Sequence, residues 1–208
     1  MDFYEVINKR RSVRKFEKKE IPDDVFERLI DAAVKAPSND HMRDWEFIIV
    51  KDKAVAAKLL DVIPRECTED DLLNLEKEQN LIDKAQRATY RYAVPKQYQM
   101  LYEASAIIVP LMKNKTDLMH PANISHLNPL VSIWCSVENL WLAAVEEGYG
   151  CNVRVPLGNE EEHAREILGF PEDYYMPCFI GIGLPLEENI PELRNTIDGK
   201  SRIHWNGF

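Results

Sequence analysis

The 208-residue sequence predicts an α+β fold in a single domain, residues 1–208. Three observations carry that expectation. Apolar residues at helical spacing recur along the chain more often than strand-like runs. The strand-like runs, at 45–50, 104–112 and 176–184, do not alternate with single crossover helices as a doubly wound parallel sheet requires. A content of 45% hydrophobic and 29% charged residues describes an ordinary soluble globular chain, long enough to bury a substantial core.

Residues 2–10 read as a short helix. Asp2 and Glu5 have the spacing of a capping box, and Phe3, Val6 and Ile7 form an apolar stripe. A second helix begins near Pro22, with Asp23 and Asp24 complementing its dipole. Val25, Phe26, Leu29, Ile30, Ala33 and Val34 follow at helical spacing, and Pro37 stops the helix by Ala36. Residues 37–44 form a loop, and 45–50, rich in β-branched and aromatic residues, form a strand. Residues 53–62 read as a helix. Residues 65–102 are polar, tyrosine-bearing and weakly patterned, and are expected to form a peripheral helical cover. Residues 104–112 read as a buried strand that Pro110 places near an edge or a strand end. Residues 128–147 are apolar around most of a helix, which is therefore expected in the centre or in a subunit interface. Gly148 ends it. Asn159, with Glu162 at capping-box spacing, opens a further helix that Gly169 and Pro171 close. Residues 176–184 form the last strand. The tail, 185–208, is unpatterned but ends in Ile203, His204, Trp205 and Phe208, so docking is expected, on another subunit.

A formal net charge of −9 argues against nucleic acid or an anionic membrane as partner. No apolar run approaches a membrane span, and the start lacks the regions of a signal peptide, so a cytoplasmic location is expected. The four cysteines and five histidines are scattered without metal-ligand spacing, and no metal site is expected. Against the acidic whole, residues 1–19 hold seven basic side chains and three acidic ones. Arg10, Arg11, Ser12 and Arg14 supply the forks and hydroxyl that a phosphate needs. The plain alternative is a solvated basic face. A second basic pair, Lys200 and Arg202, lies near the end. A Rossmann fingerprint is absent: Gly148-x-Gly150 follows a helix, and Gly181-x-Gly183 leads into Leu184-Pro185. There is no P-loop and no nucleophile elbow.

Several ordered pieces together give the chain a wider likeness. They are Arg10-Arg11-Ser12-Val13-Arg14-Lys15-Phe16, Ala36-Pro37-Ser38, Trp45-x-Phe47-Ile48-Ile49-Val50, Glu138-Asn139-Leu140-Trp141 running to Gly148-Tyr149-Gly150, Leu168-Gly169-Phe170-Pro171, Gly181-x-Gly183-x-Pro185 and Lys200-x-Arg202. In this order the chain resembles the nitroreductase family of flavin enzymes over nearly its full length. The resemblance implies a mostly antiparallel central sheet flanked by helices. It also implies a homodimer built around the long central helix with an exchanged C-terminal tail, and one FMN per subunit at the interface. Arg10, Arg11, Ser12, Arg14, Lys200 and Arg202 would hold the FMN phosphate. Pro37, Ser38, Asn39 and His41 would reach the flavin from the partner subunit, and Arg154, Val155, Pro156 and Leu157 would pass its reactive edge. NADH or NADPH would reduce FMN and leave before a small-molecule acceptor enters, a ping-pong cycle in which no side chain acts as acid or base. Nitroaromatics, quinones or similar electron-poor compounds are the implied acceptors. A specialised family reaction such as reductive dehalogenation, or flavin binding and redox sensing with little turnover, is the alternative.

The chain departs from the family where many members read Asn-x-Gln-Pro-Trp; here it reads His41-Met42-Arg43-Asp44-Trp45. Arg43 either raises the flavin potential or selects an anionic substrate, or it simply pairs with Asp44 on a loop. His41, Arg43 and Tyr98 are the candidate substrate contacts; for Tyr98 the alternative is half-buried packing.

Overall fold

In this computed structural model the described residues are 1–113, 116–186 and 197–208. Part of the unpatterned tail, 187–196, lies outside them. Two compact units divide the chain, one of residues 1–65 and 96–189, the other of residues 66–95 and 190–208.

The first unit is built on a sheet. Among the described residues its strands are β1 (Trp45–Val50), β2 (Ala106–Lys113), β3 (Gly150–Arg154), β4 (Tyr174–Tyr175) and β5 (Phe179–Gly183). The order is β1-β2-β5-β3, with β4 beside the end of β2, and every pairing is antiparallel. Both faces of the sheet are covered. On one side α2 (Asp23–Val34) and α7 (Asn128–Glu146) bury Phe26, Leu29, Val137 and Leu140 against Ile108, Ile180 and Ile182. On the other, α3 (Lys53–Leu59), α6 (Gln97–Tyr102) and α8 (Glu160–Leu168) bury Leu59, Leu101 and Ala164 against Ile107, Val109 and Phe179. β2 thus alternates between two apolar layers and is buried along nearly its whole length. This is the α+β architecture that the strand and helix periodicities predict.

α1 (Phe3–Lys9) is capped as its sequence predicts: Asp2 Oδ1 accepts from the Glu5 amide at 3.0 Å. Gly169 closes α8 in the left-handed region at φ 72°. Three expectations need correction. Pro110 lies inside the central strand, opposite Phe47. Lys113 donates to the Asp44 carbonyl, so by alternation Ile107, Val109 and Leu111 face β1 with their backbone groups and Pro110 faces away. On that side β5 pairs only as far as Ile108 and β4 begins at Met112, so the missing N–H costs no ladder bond. Asn159 makes no side-chain cap bond. The segment 65–102 is not one cover: α6 buries Met100 and Leu101 in the core of the first unit.

The second unit contains α4 (Glu69–Glu78) and α5 (Lys84–Ala93). Thr68 and Asp71 form a complete capping box at the start of α4. Arg91 of α5 donates to Glu69 and Glu76 of α4, each at 2.6 Å, joining the two helices. A single turn, Gly199–Arg202, is capped by Asp198, and in the exposed end beyond it His204 stacks on Phe208. Among the described residues no helix is long and apolar enough to cross a membrane.

Candidate functional site

The basic stretch at 10–16 is laid along the outer edge of β3. Ser12 bridges Cys151 in parallel, Val13 N–H donates to the Cys151 carbonyl at 2.8 Å, and Phe16 bridges Pro185. Two glycines make room for it. Gly150 and Gly183 face each other across β3 and β5. A Cβ on Gly150 would stand 2.4 Å from Val13 Cγ2, and one on Gly183 would stand 2.7 Å from the Phe16 ring. The Gly-x-Gly pieces therefore admit a close-packed backbone segment. Val13 and Phe16 are buried, while Arg10, Arg11, Ser12 and Arg14 stay half-buried at the rim.

Two of the charges at this rim, Arg10 and Arg11, make only loose contacts. Arg10 lies 3.6 Å from Glu138 and its guanidinium stands 5.0 Å over the Trp141 ring, both on α7. Arg11 Nε reaches the Lys9 carbonyl at 3.3 Å. Lys96, at the start of α6, joins the group. Burial, then the nearby charges of Lys15 and Arg14, hold its ammonium below the usual lysine range. Sequence reasoning missed Lys96, because only the packing of α6 brings it to residues more than 80 positions earlier. Several cations with a hydroxyl, converging on an acidic protein, are the donor set for a phosphate monoester and for the electron-rich edge of a ring that takes up charge. The residues present fit such a group.

The loop after α2 stands elsewhere on α7. Asn39 N–H donates to Ser132 Oγ at 2.9 Å, Ser132 Oγ donates to the Asn128 carbonyl, and Asn128 Nδ2 reaches Asn39 Oδ1 at 3.4 Å. Ser132 and Glu138 are six residues apart, about 9 Å along a helix, so within one chain the loop and Arg10 occupy separate stations. Asp40, His41 and Arg43 all take positive φ, 49°, 55° and 49°, a costly run for side chains that lack glycine's freedom. Pro37, His41 and Arg43 are exposed. Among the described residues Arg43 forms no ion pair with Asp44, so the plain alternative for Arg43 fails. A cavity of about 20 Å³ lies behind the loop, lined by Ser38, Arg43, Trp45 and Ser132 among others. Ser38 Oγ is buried without a hydrogen-bond partner among the described residues.

The remaining predicted residues divide. Arg154 is buried, turned inward to Glu160 of α8 and to Gln97. The following Val155 and Leu157 are exposed, 54% and 64%. The Tyr98 ring stacks on Tyr102 at 5.5 Å with the Arg65 guanidinium 4.7 Å over its face, so packing claims it. Lys200 and Arg202 sit exposed in the single turn of the second unit. A larger open groove of about 540 Å³ lies between α2 and β1, but its cation, Lys51, is held by Asp23 and the Ile21 carbonyl.

A three-layer α+β unit with a cationic rim at a sheet edge, and no dinucleotide crevice among the described residues, defines the class. Residues 7–184 match the sequence profile of the Nitroreductase family, and the chain belongs to that family. It is 27% identical over 202 residues to iodotyrosine deiodinase 1 of Sus scrofa, covering 95% of this chain and 66% of that protein's length. It is 24% identical over 199 residues to an NADH dehydrogenase of Thermus thermophilus, covering 91% and 90%. The structure of oxidized iodotyrosine deiodinase bound to FMN and 3-iodo-L-tyrosine superposes with a TM-score of 0.71 over 99% of both chains, at 20% identity.

Proposed function

We propose that this protein is an FMN-dependent oxidoreductase that takes reducing equivalents from NADH or NADPH and passes them to a small electron-poor acceptor. The observation that carries the reading is the basic stretch laid along the edge of β3, with Ser12 bridging Cys151 and Arg10 loosely held at the rim. FMN, when bound, supplies the hydride acceptance and donation. Arg10, Arg11, Ser12 and Arg14 hold its phosphate. Lys96 and Arg14 offset the negative charge that reduction adds. Residues 155–157 line the reactive edge with backbone groups and exclude water with Val155 and Leu157. In a homodimer, residues 37–41 reach the ring from the second copy, which fits their separate station on α7. Arg43, exposed and without a carboxylate partner among the described residues, faces the acceptor.

The likeness to iodotyrosine deiodinase favours reductive dehalogenation as a second reading for the same site. Purified protein is tested with FMN, then with NADH or NADPH, then with a quinone, a nitroaromatic or 3-iodotyrosine. Retained flavin that each reductant bleaches and an acceptor recolours is expected. Iodide release would select the second reading, flavin retained without turnover would leave a binding protein, and failure to retain FMN would end all three. A dimer is expected by sedimentation.

A further inference from the structure

Two polar side chains on one face of β3 reach further than the sheet requires. Asn152 and Arg154 are two residues apart, so both leave the strand on the side of α6 and α8. They are 1% and 7% exposed. Asn152 Nδ2 donates to the Val13 carbonyl at 2.9 Å and to the Met100 carbonyl at 3.1 Å. Both partners are acceptors, which sets the orientation of the amide. Its Oδ1 is buried with no hydrogen-bond partner among the described residues. Gly181 provides the space, since a Cβ there would lie 2.8 Å from that oxygen. Arg154 grips Glu160 with two nitrogens, Nε to Oε2 at 2.9 Å and Nη2 to Oε1, and gives Nη1 to Gln97 Oε1 at 3.0 Å.

Stability alone is a poor reason for these groups. A buried amide oxygen without a donor is a penalty, and a buried ion pair often does no better than an apolar pair of the same volume. The bonds do share a destination. Val13 stands between Ser12 and Arg14. Gln97 and Met100 belong to α6, next to Lys96. Glu160 opens α8, and with Arg154 it brackets the loop of residues 155–159. These are the segments that carry the FMN reading.

We infer that Asn152 and Arg154 are positioning residues, which set the spacing of the basic stretch, Lys96 and the 155–157 loop around the flavin. The inference rests on the FMN reading, and neither residue touches the cofactor. A buried polar frame of this kind holds contacts in one geometry where apolar packing would let them drift.

The test uses the full chain reconstituted with FMN and compares Asn152→Val, Glu160→Gln and a control, Asp52→Ala. Asp52 accepts from the Ala54 and Val55 amides and caps α3, so its loss touches stability alone. Flavin fluorescence titration reads the FMN dissociation constant, and redox titration reads the midpoint potential. Both frame variants are expected to weaken FMN about tenfold or more and to shift the potential, whereas Asp52→Ala lowers Tm and leaves both flavin readings unchanged. If Asn152→Val does not fold, Glu160→Gln is read alone on the same terms. Frame variants with wild-type affinity and potential overturn the inference while the FMN reading stands. Wild-type protein that takes up no FMN overturns both.

Discussion

A guanidinium that already has partners can serve an anion when those partners are weak. Arg10 and Glu138 are 35% and 51% exposed and 3.6 Å apart. A pair so open to water contributes about 0–1 kcal/mol, while a charge-assisted hydrogen bond to an anion contributes about 1.5–3 kcal/mol. A phosphate therefore wins Arg10 from Glu138. Replacing Arg10 and Arg14 together by alanine should raise the FMN dissociation constant by about 10²-fold or more, measured by fluorescence titration. Full retention of flavin would contradict the phosphate assignment. The contribution proposed for Arg43 is of another kind, to reactivity. Arg43→Gln removes a cation from a loop that holds it without a carboxylate partner. The midpoint potential of bound FMN should fall or the preference for anionic acceptors should be lost; neither change would mean that Arg43 is a bystander.

At the scale of elements, the contact between the basic stretch and β3 is the joint on which the site depends. Gly150→Ala drives a methyl into Val13, and overpacking of this kind costs about 1–3 kcal/mol. Val13→Ala in the same chain should return only part of that loss, because the Val13 Cβ itself would stand 2.8 Å from the new methyl; chemical denaturation of the two single variants and the double reads it. Additive losses would show that the two positions do not press on each other. Much of this architecture is legible from local pattern. The Asp2 cap, the α2 and α7 stripes and the apolar runs of β1, β2 and β5 all follow short-range rules. β3 does not. Its inward face is Asn152 and Arg154, and an alternation rule reads polar residues as solvent-facing. Their partners, Val13, Gln97 and Met100, are too distant in sequence for any local pattern to reveal. Pro110 misleads for a related reason, because the change of partner from β5 to β4 is a property of the sheet and not of β2. In the site, residues 10–14 are legible by charge and motif, whereas Lys96 and the inward turn of Arg154 emerge only from packing.

On the scale of the whole molecule, several of the carboxylates behind its excess negative charge are held in their ionised form. Hydrogen bonds hold Glu5, Asp24, Asp71, Asp117, Glu147 and Asp173 below the usual carboxylate range, through Lys9, Arg28, the Thr68 amide, His120, Arg28 and Lys113 respectively. A lowered value stabilises the fold above the group's ordinary pKa, and that contribution is lost as pH falls through the folded value. Glu161 runs the other way: burial raises it, so its contribution is present in acid and fades as pH rises through its folded value. Among the described residues, six carboxylates oppose one. Tm should therefore be level near neutrality and drop as pH falls below about 4, followed by circular dichroism; a Tm that rises into acid would refute the balance. The placement of Val13 against β3 also has a consequence in time. Val13 finds its backbone partner only in Cys151, 138 positions later along the chain. At about 5–20 residues per second that wait lasts about 7–28 s. The cationic stretch spends it unpaired, and long-range closures of this sort are slow steps in folding. The proposed flavin site is thus completed only after β3 has been made, and FMN supplied to a refolding chain has nothing to hold it until β3 and β5 have met.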